Sequence, residues 1–253
     1  CSRCDYSTYV ELPAEGHDLI RHAGKAATCT EKGWKEAELL SHRLSSMDIK
    51  AFYCSPLGRA RDTASLTLQK MGREAEIFDF LQEFTHPVTD PETGEELHIP
   101  WDLMPAYWTE TPDFFHKDRW KDTPLMCSGR IGEYYREVAE GIDSILKKHG
   151  YERYKNRYRT KGGNRDTIVV FCHFGVMCVM LSHILGISPL SLWHGFCAAP
   201  SSVTTLYTEE REEGEVFFRC QSFGDTAHLY AAGEEPAFAA RFCETYDNME
   251  ERH

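Results

Sequence analysis

Two arginines, two histidines and one glutamate each stand just after a short apolar run of the chain. Arg21 and His22 follow DLI, Arg59 comes soon after AFYC, Glu83 soon after IFDFL, and His173 directly after TIVVFC. Arginine binds phosphate oxygens through paired hydrogen bonds, and a neutral histidine can attack phosphorus. A second histidine can stabilise charge on the phosphoryl oxygens, and a carboxylic acid can protonate the leaving alkoxide. These residue types favour a phosphoryl transfer that needs no metal ion or other cofactor.

Strand and helix patterns alternate along the chain, which indicates an α/β fold. The expected architecture is a three-layer α/β/α sandwich with a mainly parallel central sheet, in which the run DTIVVFC is buried on both faces. Ligands bind beyond the carboxyl ends of such strands, so the residues above would converge there. We expect one domain over residues 1–253, with a lid insertion at about 84–128, where no periodicity is sustained.

Three stretches have apolar residues at helical spacing and are predicted to be long helices. They are TEKGWKEAELLSHRLSSM, PLGRARDTASLTLQKM with Pro56 in its first turn, and GRIGEYYREVAEGIDSILKKHG. A fourth helix, FGVMCVMLSHIL, should end at Gly186. The stretch 151–165 is predicted to be a surface hairpin, and SSVTTLYT and EVFFRCQS two late strands. No internal repeat or domain linker is visible.

Five short motifs, in this order and at this spacing, resemble those of the histidine phosphatase superfamily, the phosphoglycerate-mutase-like fold. The most specific is SPLGRARDTA at 55–64, which is similar to the family's Ser-x-Leu-x-Arg-Ala-x-x-Thr-Ala segment. RHA resembles its opening Arg-His-Gly, CTEKG its Leu-Thr-x-x-Gly helix start, and VVFCHFG its second strand ending in His-Gly. FGDTAHL at 223–229 resembles its late Asn-Asp-x-x-His-Leu segment. The resemblance therefore covers nearly the whole chain.

The resemblance implies a role for each residue that follows a strand. His22 would accept the phosphoryl group, Arg21 and Arg59 would bind it, and His173 would stabilise the transition state. Glu83 would donate the proton, with Asp79 as a nearby alternative. The chain departs from the family pattern at Ala23 and Phe174, where glycine is usual, and in its first strand, GHDLI, which is less apolar than a buried central strand.

Other polar and aromatic residues are weaker candidates for a functional site. His228 fits a structural role at the sheet end as well as a site role. Cys1 and Cys4 lack the second cysteine pair of a zinc site. Five residues of the insertion fit either a substrate pocket or ordinary lid packing, with packing preferred: His86, His98, Trp101, Trp108 and His116.

Composition limits the partners of the protein. The net charge is −12, so the overall field repels nucleic acids and anionic membranes. Of the 10 cysteines, Cys54, Cys172, Cys178 and Cys220 lie in apolar runs, where a free thiol behaves as a small hydrophobe. No secretory signal is apparent. We expect a cytoplasmic protein that binds a small phosphorylated substrate; its oligomeric state is left open, a homodimer included.

Three functions are compatible with these residues. The preferred one is a phosphatase that acts on a small phosphomonoester. A mutase would keep the phosphoryl group on His22 and return it to a second hydroxyl, but residues 84–128 do not resemble the mutase insertion. A catalytically inactive module that binds phosphorylated ligands is the third. Cys-x5-Arg, GxxxxGK[ST], GxGxxG and HExxH motifs are all absent from the sequence.

Overall fold

The protein has a mixed α/β fold, which a computed structural model describes for residues 29–237 and 245–248. The strands are β1 Ala51–Cys54, β2 Glu76–Ile77, β3 Val88–Thr89, β4 Glu96–Leu97, β5 Glu152–Tyr154, β6 Arg157–Arg159, β7 Ile168–Phe171, β8 Val203–Glu212 and β9 Glu215–Asp225. The helices are α1 Glu31–Ser45, α2 Gly58–Met71, α3 Pro105–Thr109, α4 Pro124–Ser128, α5 Ile131–Lys148, α6 Phe174–Leu185, α7 Pro189–Gly195 and α8 Ala227–Ala231. Single turns of 3₁₀ helix occur at Asp79–Leu81, Pro112–Phe115 and Trp120–Asp122.

The strands form a parallel sheet and two antiparallel sheets. The parallel sheet has the order β2-β1-β7, and its register pairs Cys54 with both Ile77 and Phe171. A four-stranded sheet has the order β5-β6-β9-β8 and is antiparallel at every pairing, while β3 and β4 form a small hairpin. The parallel sheet is therefore confirmed, but most of the described strands pair antiparallel because tight turns join β5 to β6 and β8 to β9.

Alternation along β1 sends its side chains into two different cores. Phe52 and Cys54 pack with apolar residues of α1 and α2, such as Leu40 and Ala64. Tyr53 belongs to the larger core, which is built mainly on α5 and α6. Successive side chains of a strand point to opposite faces, so the four residues AFYC contribute side chains to both cores.

The predicted long helices are confirmed, and their ends have ordinary capping chemistry. The Thr30 hydroxyl accepts a hydrogen bond from the Gly33 N–H at 3.1 Å, which begins α1. Gly186 ends α6 with φ of 70°, a left-handed conformation that glycine adopts at no steric cost. No helix in the described ranges is long and apolar enough to cross a membrane.

Four local predictions are wrong. Helix α2 begins at Gly58, so Pro56 precedes it and shapes the turn after β1. The run IFDFL, expected to be one strand that ends just before Glu83, is a strand only to Ile77, because the chain turns into 3₁₀ helix at Asp79. Cys220 is exposed on β9. Strand β7 is only half-buried over its first three residues, because among the described strands it pairs with β1 alone.

One cavity is lined by residues of both larger sheets. Residues of β7 and β8 line it, and among the described strands each of these two has a partner on one side only. The volume of the cavity, as the described residues enclose it, is about 2090 Å³. Arg59, Glu83 and His173, which the sequence singles out for chemistry, line the same cavity.

Candidate active site

Three polar side chains meet at the carboxyl ends of β1 and β7. Ser55 directly follows β1, Arg59 lies in the first turn of α2, and His173 caps the start of α6. The Arg59 Nε–H donates to His173 Nδ1 at 3.1 Å, and His173 Nε2 lies 2.8 Å from the Ser55 hydroxyl oxygen. Because β1 and β7 are parallel and in register, the residues that follow them must converge at this edge.

The hydrogen bonds fix the protonation of the His173 ring. A guanidinium is only a donor, so Nδ1 acts as the acceptor and carries no proton. The ring proton is then on Nε2, which donates to Ser55. His173 is thus held as the neutral Nε2–H tautomer, with a permanently charged group beside its other nitrogen.

Replacement of Ser55 by alanine should misplace His173. Ser55 is fully buried, and its hydroxyl also accepts from the Leu57 N–H at 3.3 Å. Because the family resemblance implies that His173 stabilises the transition state, we expect kcat/KM for a phosphomonoester to fall about tenfold when the ring is held loosely. Ser41→Ala is the matched control, since Ser41 is also buried and bonds a helix carbonyl oxygen at 2.6 Å. Equal activity of the two variants would contradict a positioning role for Ser55.

The Glu83 carboxyl lies buried against the start of α6. Its Oε1 accepts from the Phe84 N–H at 2.8 Å and from the Val176 N–H at 3.0 Å. Burial raises the pKa of Glu83, while the Arg59 charge and these backbone bonds act in the opposite direction. The net rise keeps the proton on this carboxyl to a higher pH than in water, as a proton donor requires.

Close packing around Glu83 explains the glycine of the sequence HFG. A Cβ on Gly175 would lie 2.6 Å from Glu83 Oε1 and 2.7 Å from Trp101 Nε1. The Trp101 indole donates to the Phe84 carbonyl oxygen at 2.9 Å, and Trp193 donates to the Gly175 carbonyl oxygen at 3.0 Å. Two indoles therefore secure the segments on either side of the carboxyl.

Phe174 causes no obstruction despite standing where the family has glycine. Its ring lies edge-on to Trp101, with centroids 6.0 Å apart, and it faces the cavity. The glycine that the close approach requires is the next residue, Gly175. The presence of phenylalanine at position 174, where the family has glycine, therefore does not disrupt the cluster of Arg59, Glu83 and His173.

Of the five residues singled out in the stretch 84–128, two line the cavity and three do not. Trp101 and Trp108 line the cavity. His86 does not: it is stacked on Tyr134 with ring centroids 3.5 Å apart, and burial lowers its pKa to about 4. His98 is exposed, and His116 accepts from backbone N–H groups of its own turn.

Asp79 and His228 lie outside the cluster. Asp79 is exposed on its 3₁₀ turn, so Glu83 is the better placed acid. His228 contacts Arg43, whose guanidinium also pairs with Asp225 at 2.7 Å, and this favours a structural role at the end of α1. Arg21 and His22 lie outside the described residues. Over the ranges 29–237 and 245–248, no group of three metal-ligating side chains occurs.

Sequence reasoning did not assign roles to Ser55, Trp193 and His194. Ser55 was visible only as the residue after a strand, and its contact with His173 depends on the fold. Trp193 and His194 lie on α7, which the sequence analysis did not predict. The signal for that helix was Ser188 followed by Pro189, a capping residue with proline in the first turn.

The comparisons with known proteins all indicate the same protein family. Residues 21–220 match the family model described as histidine phosphatase superfamily (branch 1). Phosphoserine phosphatase 1 of Hydrogenobacter thermophilus is 25% identical over 182 residues, 72% of this chain and 75% of that protein. Adenosylcobalamin/alpha-ribazole phosphatase of Salmonella typhi is 24% identical over 177 residues, 68% of this chain and 75% of that protein.

Solved structures show the same fold at lower identity. Phosphoserine phosphatase of Entamoeba histolytica, in complex with 3-phosphoglyceric acid, has a TM-score of 0.53 and 17% identity, over 85% of this chain and 91% of that one. Mycobacterial glucosyl-3-phosphoglycerate phosphatase has a TM-score of 0.55 and 14% identity, over 83% and 96% of the two chains. At this level of identity the structures support the fold and leave the substrate open.

Proposed function

Because the chain belongs to the histidine phosphatase superfamily, we propose that it hydrolyses a small phosphomonoester through a phosphohistidine at His22, without a metal ion. Membership confirms the prediction that the protein is a phosphatase. The observation that carries the proposed mechanism is the contact of Arg59 with His173 beside the buried Glu83. The experiment that tests it is release of inorganic phosphate from p-nitrophenyl phosphate in EDTA.

The proposed reaction has two steps. The phosphoryl group passes from the ester to His22 in the first step and from His22 to water in the second. A ring nitrogen of His22 attacks phosphorus, the bond from phosphorus to the ester oxygen breaks, and Glu83 protonates the leaving alkoxide. Water then attacks phosphorus of the phosphohistidine, the bond from phosphorus to the His22 nitrogen breaks, Glu83 takes a proton from the attacking water, and phosphate leaves. Arg59 has further N–H groups beyond the one bound to His173, and these would bind the phosphoryl oxygens with Arg21.

We propose that the parallel sheet is the middle layer of a three-layer α/β/α sandwich, with residues 84–128 as a lid. The support is β1, whose side chains pack in one core with α1 and α2 and in another core with α5 and α6. Arg21 and His22 lie outside the described residues, so their roles in this proposal rest on the family resemblance.

Hydrolysis is favoured over mutase chemistry. Both curated relatives above are named as phosphatases, which supports transfer of the phosphoryl group to water. A mutase would retain phosphate on the enzyme and release little of it. Stoichiometric release of phosphate from p-nitrophenyl phosphate over many turnovers therefore supports the phosphatase.

Glu83→Gln should slow hydrolysis of an alkyl phosphate by about 10²- to 10⁴-fold, because the leaving alkoxide loses its proton donor. The glutamine oxygen can still accept from Phe84 and Val176, so the fold should persist. Release of p-nitrophenolate needs no proton, so its initial burst should be affected far less. The measurement is kcat and burst amplitude for the two substrates. An equal loss in burst and alkyl phosphate turnover would contradict the role as proton donor.

The same variant gives a test that does not depend on turnover. The folded-state pKa of Glu83 is raised, so its stabilising effect is complete below the unfolded pKa near 4.5 and is lost as pH rises through the folded value. Wild type should therefore lose stability relative to Glu83→Gln above that pH, by at most about 1.4 kcal/mol per pH unit. Urea unfolding across pH measures this difference. A constant difference would mean that the Glu83 pKa is not raised.

A further inference from the structure

Five side chains, four of them apolar and one an imidazole, line the cavity together with the proposed catalytic group and are here called the aromatic wall. Its members are Trp101, Met104, Trp108, Phe174 and His194. They line the same cavity as Arg59, Glu83 and His173. The wall begins one residue from His173, at Phe174, and continues through Trp101, whose ring centroid lies 6.0 Å from that of Phe174.

The far part of the aromatic wall is held in a fixed arrangement. Trp108 stacks on His194, with centroids 5.0 Å apart and the planes 22° from parallel. His194 donates from Nδ1 to the Leu190 carbonyl oxygen at 3.0 Å and accepts at Nε2 from the Leu103 N–H at 3.3 Å. Burial lowers the pKa of His194, so its ring is neutral. Trp108 therefore rests on an uncharged, hydrogen-bonded ring.

The part of the chain that the structure describes places few positive charges along this cavity. Among the described residues that line it, the arginines are Arg43, Arg59 and Arg165, and there is no lysine. Arg43 pairs with Asp225, and Arg165 precedes the start of β7, at the end opposite His173. The acidic residue that follows Trp101 in the chain, Asp102, also lines the cavity. Arg59 is assigned to the phosphoryl group, so the described residues leave no cation at the wall for a carboxylate on the leaving group.

We infer that the aromatic wall binds the leaving group, and that the substrate is a phosphomonoester whose alcohol carries an uncharged aromatic or bulky apolar group. This inference rests on the proposed phosphatase function. Flat rings gain both buried apolar area and favourable ring-to-ring geometry against tryptophan and phenylalanine. A compact leaving group with its own carboxylate, as in phosphoserine, gains neither.

The test compares esters whose leaving alcohols have similar basicity. Wild type should hydrolyse 3-phenylpropyl phosphate at least about tenfold more efficiently in kcat/KM than n-propyl phosphate, and more efficiently than phosphoserine. Trp108→Ala should reduce the phenylpropyl-to-propyl ratio to about two. Trp34→Ala is the control, because Trp34 is an exposed tryptophan of α1 that does not line the cavity. Its ratio should equal that of wild type.

A second variant is designed to gain an activity, because a gain cannot be explained by unfolding of the protein. Met104 is 48% exposed, so Met104→Arg should fold, and the added cation should raise kcat/KM for phosphoserine about tenfold while lowering that for the phenylpropyl ester. Equal efficiencies for phenylpropyl and propyl esters in wild type, or a preference for phosphoserine, would overturn the inference and leave the phosphatase function intact.

A binding measurement separates failure of the inference from failure of the function. Quenching of tryptophan fluorescence by 3-phenylpropylphosphonate and n-propylphosphonate reports affinity without turnover. About tenfold tighter binding of the phenyl compound, lost in Trp108→Ala and kept in Trp34→Ala, supports the wall. If no ester is hydrolysed, the proposed function fails, and this titration alone decides the inference. Equal affinities would overturn it.

Discussion

His22→Ala should reduce the rate of p-nitrophenyl phosphate hydrolysis in EDTA by a factor of about 10⁴ or more. Removal of a covalent nucleophile typically causes a loss of this size. His22 is the residue that the family resemblance assigns as phosphoryl acceptor, and the described cluster contains no other histidine beside Arg59 and Glu83 than His173. His173 is already held by two hydrogen bonds, one on each ring nitrogen. The measurement is initial rate at saturating substrate, with EDTA present throughout.

A matched histidine variant distinguishes chemistry from a general effect on the protein. His98→Ala removes an imidazole of the stretch 84–128 that is 48% exposed as a side chain, and it should leave the rate unchanged. Circular dichroism and the unfolding midpoint should agree for wild type and both variants. Activity that survives His22→Ala would move the nucleophile to another residue and break the assignment of the site.

Arg59→Met should lower kcat/KM by about 10²- to 10³-fold, the usual loss when one preorganised cationic donor leaves a transition state. Arg59 is only 6% exposed, and its Nε–H holds His173 at 3.1 Å. Its charge also opposes the rise in the pKa of Glu83, so that pKa should increase further in the variant. The measurements are kcat/KM across pH and the inhibition constant of inorganic phosphate, which should weaken in parallel.

Arg61→Met is the control for this substitution, because Arg61 lies two residues along the same helix and is exposed. It should keep full activity. Arg59→Lys should restore little, because an ammonium cannot bind His173 and two phosphoryl oxygens with the geometry of a planar guanidinium. Wild-type phosphate inhibition in Arg59→Met would show that Arg59 does not contact the phosphoryl group.

The long helices and the motif residues could be predicted from the sequence because their signals are local. In α5, apolar residues such as Val138, Ile142 and Ile145 recur at helical spacing and are all buried. In the segment SPLGRARDTA, the local pattern alone predicts that Ser55 follows a strand and that Arg59 lies at the start of a helix. Parallel pairing of β1 with β7 then brings His173 to them.

Features that depend on distant contacts could not be predicted. The stretch 84–128 contains short elements, α3, α4 and the β3–β4 hairpin, each too brief to show a period. The chain after β2 reads as strand but turns at Asp79, because Phe80 and Leu81 pack into the larger core. The tautomer of His173 and the fit of Gly175 against Glu83 depend on atoms far apart in sequence.

Trapping the phosphoenzyme tests the central claim most directly. Glu83→Gln with ³²P-labelled p-nitrophenyl phosphate in EDTA should form the intermediate, because this leaving group needs no proton, and then hydrolyse it slowly, because the base for water is gone. After an alkaline quench, which preserves phosphohistidine, we predict label on His22 at close to one phosphate per protein, and none in the Glu83→Gln variant that also carries His22→Ala. Label on another residue, or full turnover with no label at any time, would contradict a phosphohistidine mechanism at His22.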